Sequence, residues 1–163
     1  MITLLTTPAD RELVITRTFD APVTRVWEAW TRPEHVRQWY GAAALTMSVC
    51  DIDLRPGGAW RWGQRGPDGQ EIVFSGTYEE IVPSERLVYT ELFEQMPDAD
   101  PVRVILSFDA TPDGGTALTS TSFWPTTEIR DQALAAGMES GVREQYDRLA
   151  GYLRTMAGAA GTG

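Results

Sequence analysis

The sequence predicts an α+β protein in which a curved seven-stranded antiparallel sheet wraps around one long C-terminal helix. Three observations carry this prediction. From Leu45 to Trp124 apolar residues recur at a period of two, in segments joined by tight-turn chemistry. From Thr126 to about Met156 the period is helical. Between a first strand and the main block lie two short helical stripes. No linker, repeat or charge block interrupts residues 11–156, which read as a single domain. Residues 1–10 read as a flexible arm and 157–163 as a disordered small-residue tail.

ELVITRTF (12–19) is rich in β-branched residues and places Leu13, Ile15 and Phe19 on one strand face. Pro22 then opens a helix, because its fixed φ suits a first turn where no donor is needed. Val23, Val26, Trp27 and Trp30 form the apolar stripe of that helix. Thr31 and Glu34 have the spacing of a capping box, which starts a second short helix with Val36, Trp39 and Tyr40 on its apolar side. Gly41 ends it.

Strands follow at 45–54, 59–63, 71–82, 86–94, 103–110 and 116–124. The links RPGG (55–58), GPDG (66–69), VPSE (82–85) and TPDGG (111–115) are turns, and the link at 95–101 is a looser acidic loop. Links this short make successive strands antiparallel neighbours. Val104, Leu106 and Phe108 alternate with Arg103, Ser107 and Asp109, so one sheet face is covered and the other meets water. Along the last helix Leu134, Met138, Val142, Gln145, Leu149, Tyr152, Leu153 and Met156 trace a stripe. Its roughly thirty residues span about 45 Å. Gly137 and Gly141 fall inside it, one turn apart. Each costs about 0.5–1 kcal/mol relative to alanine, so they are expected where a strand or lid helix approaches closely.

Seven strands spaced about 4.8 Å apart make a sheet about 30 Å wide, whereas a helix is about 10 Å across. The sheet must therefore curl, helped by Gly57, Gly58 and Gly76. A curled sheet gripping one helix leaves volume near the helix's N-terminal half, with the short helices as a lid. The residues expected to line that volume are Trp39, Tyr40, Trp60, Trp62, Phe74, Tyr78, Phe108, Phe123, Met138, Val142 and Tyr146. Taken singly, each aromatic reads better as core. Together they point to a small, mostly apolar ligand of aromatic or lipid-like character.

The blocks ITRTFDAPVTRVWEAWTRPEHVRQWYG (15–41), DIDLRPGGAWRW (51–62), FSGTYEEIVPSERLVYTE (74–91) and GMESGVREQYDRLAGYL (137–153) carry a resemblance over roughly residues 11–155. The chain resembles the START-related, birch-pollen-allergen-like (SRPBCC) superfamily, in the bacterial branch similar to the activator of the heat-shock protein 90 ATPase. The resemblance implies a helix-grip fold with an internal cavity. It implies less about activity, because the superfamily spans ligand carriers, receptors, cyclases and co-chaperone domains. Many relatives carry a second tryptophan where this chain has Tyr40, which puts a hydroxyl at the expected cavity entrance.

Fourteen basic against twenty-three acidic residues give a net charge of −9, which argues against nucleic-acid and anionic-membrane partners. One cysteine, Cys50, and one histidine, His35, offer no disulfide and no metal-ligand spacing, so no metal or cofactor is expected. Cys50 reads as a small core residue rather than a reactive thiol. The N-terminus lacks a basic leader and no long apolar run occurs, which gives a cytoplasmic expectation. The leading functional reading is a binding protein for a small apolar ligand, not an enzyme, as a monomer or homodimer. One alternative is a co-chaperone-type module that contacts a protein partner. A second is a cyclase or hydrolase using His35, Glu91 or Tyr146. Glu91 shares a strand face with Leu87, Tyr89 and Phe93, so a concave face there would turn a carboxylate inward.

Overall fold

The computed structural model describes the backbone of residues 4–161 and the side chains of residues 5–156; residues 1–3 and 162–163 lie outside the described residues. The strands are β1 (Leu4–Thr6), β2 (Glu12–Phe19), β3 (Thr46–Ile52), β4 (Ala59–Arg65), β5 (Glu71–Val82), β6 (Arg86–Phe93), β7 (Val102–Ala110) and β8 (Thr116–Phe123). The helices are α1 (Val23–Thr31), α2 (Pro33–Trp39), α3 (Thr127–Ala135) and α4 (Met138–Gly161). All strands join one antiparallel sheet in the order β1-β2-β8-β7-β6-β5-β4-β3. The sheet thus has eight strands rather than seven. The additional one is β1, whose three residues pair with Val14–Thr16 where the sequence suggested a loose arm, and Leu5 packs against the core.

Strand parity sets which side chains face inward. On β2 Leu13, Ile15, Arg17 and Phe19 are buried, and on β7 Val104, Leu106 and Phe108 are. Against this face pack Val26, Trp27 and Trp30 of α1, Val36 and Trp39 of α2, and Tyr146, Leu149, Ala150 and Leu153 of α4. Arg17 is the buried charge in this layer, and its guanidinium meets the exposed Asp147 carboxylate of α4 at 2.7 Å.

Pro33 separates α1 from α2. It holds Arg32 in extended backbone, and Arg32 rather than Thr31 is the N-cap of α2. The expected capping box is therefore absent; the Thr31 hydroxyl donates back to the Trp27 carbonyl instead. Thr126 caps α3, its hydroxyl oxygen accepting from the Ile129 N–H at 3.1 Å.

The long C-terminal helix is two helices. Gly137 adopts φ +98°, a left-handed conformation that ends α3 and redirects the chain into α4. The backbone of α4 runs helical to Gly161, through most of the stretch read as a disordered tail. Among the described residues no helix is long and apolar enough to cross a membrane, and no cluster of three or more metal-ligating side chains occurs.

Candidate functional site

Between the concave face of β4–β7 and the first turns of α4 lies a cavity of about 350 Å³. Alternation along the strands builds its wall. Trp60, Trp62 and Gln64 come from β4, Ile72, Phe74 and Tyr78 from β5, and Leu87, Tyr89 and Glu91 from β6. Leu106 of β7, Ser120 of β8 and Ile15 of β2 close the floor. Trp30 of α1 and Met138, Gly141, Val142, Gln145 and Tyr146 of α4 complete the enclosure.

The rings touch one another in a continuous chain. Tyr146 meets Trp30 at 6.4 Å between centroids, Trp30 meets Trp62 at 6.2 Å, and Trp62 meets Tyr40 and Trp60 at 5.2 and 5.5 Å. Trp60 in turn stands edge-on to Tyr89 at 5.5 Å. Close strand approach makes room for this wall. A Cβ on Gly76 would lie 1.8 Å from the Thr90 carbonyl oxygen, so only glycine lets β5 and β6 come together there. The Trp60 indole N–H donates to that same carbonyl at 3.1 Å.

Away from the rim, the cavity holds polar groups that lack side-chain partners. Ser75 pairs with Leu92 and Tyr78 with Tyr89, so Gly76 falls across from Glu91 and offers it no side chain. Burial pushes the Glu91 carboxyl up to about 7. Tyr40, Tyr89 and Tyr146 all have phenols raised above the ordinary range, first by burial and then by the Glu91 charge nearby. The indole N–H groups of Trp30 and Trp62 are buried without an acceptor.

The rim is a short backbone strap, residues 40–43, held by side chains from β4 and α4. Gln64 donates to the Tyr40 and Ala42 carbonyls and accepts from the Ala42 N–H. The Gln145 side-chain oxygen accepts from the Gly41 N–H at 3.0 Å, and the Arg148 guanidinium donates to the Tyr40 and Gly41 carbonyls at 2.8 and 2.9 Å. The lid is therefore the loop after α2 rather than α2 itself.

Eight of the eleven residues expected at the cavity line it: Tyr40, Trp60, Trp62, Phe74, Tyr78, Met138, Val142 and Tyr146. Three do not. Trp39 is fully buried beneath α1, its indole N–H donating to the Ala29 carbonyl. Phe108 faces inward but lies farther along β7, under Trp27 at 5.2 Å. Phe123 has the opposite parity to the buried Leu118 and Ser122 and is exposed on the outer face. His35, offered above as a polar catalyst, does not line the cavity. Its Nδ1 is 2.5 Å from the Tyr152 hydroxyl, in a separate surface groove beside α1 and α4. Cys50 is buried with its thiol pushed up to about 11 by burial, which removes it as a nucleophile at neutral pH.

Gly137 and Gly141 do not mark a close approach. A Cβ on Gly141 would meet nothing within 4 Å, and one on Gly137 only the Ser140 hydroxyl at 4.0 Å. Gly141 instead leaves the mouth open beside Val142. Residues missed at the site include Trp30, Tyr89 and Gln64. The parity of Trp60 and Trp62 already extends to Gln64, and that of Leu87 to Tyr89.

Comparison with known proteins adds the lineage. The family model described as "Activator of Hsp90 ATPase homolog 1-like protein" matches residues 20–154. A Rhodobacter sphaeroides protein of known crystal structure is 26% identical, with a TM-score of 0.88, over 94% of this chain and 99% of its own. A Staphylococcus epidermidis protein solved by NMR is 24% identical, with a TM-score of 0.81, over 92% of this chain and 93% of its own. A Nitrosomonas europaea crystal structure is 24% identical, with a TM-score of 0.79, over 90% of this chain and 96% of its own. The last two likenesses show the fold alone. No curated protein matches.

Proposed function

The chain belongs to the Activator of Hsp90 ATPase homolog 1-like family within the START-related superfamily, and within it we propose that this protein binds a small aromatic or lipid-like molecule in its internal cavity. The observation that carries the reading is the cavity itself. About 350 Å³ enclosed by a continuous chain of rings falls at the small end of the range for ligand pockets, about 300–1,000 Å³. A concave, largely apolar space of this size at the grip of sheet and helix is the kind of site that small molecules occupy.

The activator-type reading, with a protein partner on an exposed surface, calls for a contiguous apolar patch of several hundred Å². Among the described residues the exposed large apolar side chains are Leu54, Ile72, Met96, Phe123 and Ile129, each on a different strand, helix or loop. Native mass spectrometry of protein purified from its own source tests the cavity reading. A co-purifying small molecule displaced by added naphthalene derivatives supports it. Protein free of any adduct, whose tryptophan emission no such compound alters, overturns it.

A further inference from the structure

The cavity wall holds the Glu91 carboxyl, with Glu144 at the mouth, and among the described lining residues no arginine, lysine or histidine. Among the described residues Glu91 has neither a hydrogen-bond nor an ion-pair partner. It stands next to Tyr89 on the same strand face, and Gly76 across from it supplies no side chain. The Trp60 ring stands edge-on to Tyr89, and Trp62 continues the wall. Aromatic faces carry negative charge density and attract cations. A lone carboxylate among such faces is the arrangement that receives an ammonium group.

We propose, resting on the cavity reading above, that the ligand is a small aromatic or alicyclic amine bound as its ammonium ion. The ammonium N–H groups donate to the Glu91 carboxylate, and the apolar body lies against Trp60, Trp62 and Tyr89. The surroundings favour the same sign of charge. Glu144 sits at the cavity mouth, and the chain carries a net charge of −9, which draws cations inward. The positive end of α4, the other electrostatic feature here, is met by Glu139 in its first turn. A carboxylate ligand would face Glu91 with no cation between them. A purely apolar ligand would leave an ionised Glu91 buried without a counterion. Burial already holds that carboxyl up to about 7, so above this pH a counterion is what the site lacks.

Isothermal titration at pH 8 with 1-naphthylmethylamine, 1-naphthylmethanol and 1-naphthoate separates these cases. The amine is expected to bind at least about tenfold more tightly than the alcohol, the size of a charge-assisted hydrogen bond with cation–π support. Naphthoate is expected to be weakest. Glu91→Gln should bring the amine down to the level of the alcohol, with near-ultraviolet circular dichroism confirming that the variant is folded. An alcohol that binds wild type as tightly as the amine overturns the amine assignment and leaves the cavity reading standing; so does an amine preference that survives Glu91→Gln. If none of the three binds, the cavity reading falls and the amine with it. The comparison of amine and alcohol in wild type decides the matter even if the variant misfolds.

Discussion

Glu91 gives the strongest prediction about stability. In the unfolded chain its carboxyl ionises near 4.5, whereas burial in the fold raises it to about 7. Below pH 4.5 both states are protonated and Glu91 has no effect on the balance. Between 4.5 and 7 the unfolded chain releases its proton while the folded one keeps it, so the folded state loses ground as pH rises. The loss is complete above pH 7 and amounts to about 3 kcal/mol for a shift of this size. Glu91→Gln keeps the shape and removes the ionisation. The variant should exceed wild type by about 1 kcal/mol at pH 5.5 and by about 3 kcal/mol at pH 8.5, the latter equal to about 6–12 °C in Tm for a chain of this length. The facing phenols of Tyr40, Tyr89 and Tyr146 are raised above their ordinary range and stay neutral throughout. Glu144, Arg17 and His35 are present in both proteins, so the comparison cancels them. Urea unfolding of the two proteins at both pH values measures the difference. Parallel pH profiles, or a variant less stable at pH 8.5, would refute the placement of this carboxyl in an apolar enclosure.

Three further substitutions test the geometry. Gly141→Leu should raise stability by about 0.5–1 kcal/mol through helix propensity and weaken binding of naphthalene derivatives by obstructing the mouth, where a Cβ meets nothing within 4 Å; melting and titration of one sample read both effects. Gly76→Ala should destabilise by more than about 3 kcal/mol, as backbone strain in a core strand does, because its Cβ would lie 1.8 Å from the Thr90 oxygen. A near-normal urea midpoint would contradict it. Gly137→Ala should lower stability by roughly 1–2 kcal/mol, since alanine resists the left-handed conformation at φ +98°, and a rise in Tm would show that the helix runs straight through.

The strands were legible because period two survives in residues such as Val104, Leu106 and Phe108, whatever packs on them. β1 was not, since three residues are too few to show a period and their strand character comes from pairing with β2. The helix break at Gly137 was hidden for a related reason. The apolar stripe continues from Leu134 to Met138 across it, and nothing in a stripe records the sign of φ. At the cavity, parity told inward from outward but not position along a strand. Phe108 and Leu106 share a face, yet only Leu106 reaches the cavity, because α1 lays Trp27 over the other. Phe123 was a parity error, and Trp39 was claimed by the helix pair above it. The polar rim could not be read because Gln64, Gln145 and Arg148 act on backbone atoms far away in sequence.

That rim is built differently from the rest of the cavity wall. The strap at residues 40–43 is tied to the body by side-chain hydrogen bonds, outside the ladder of any strand. Gln64, Gln145, Arg148 and Glu144 hold it, each through backbone atoms of the strap. The position of the strap is thereby set by side-chain rotamers rather than by strand pairing.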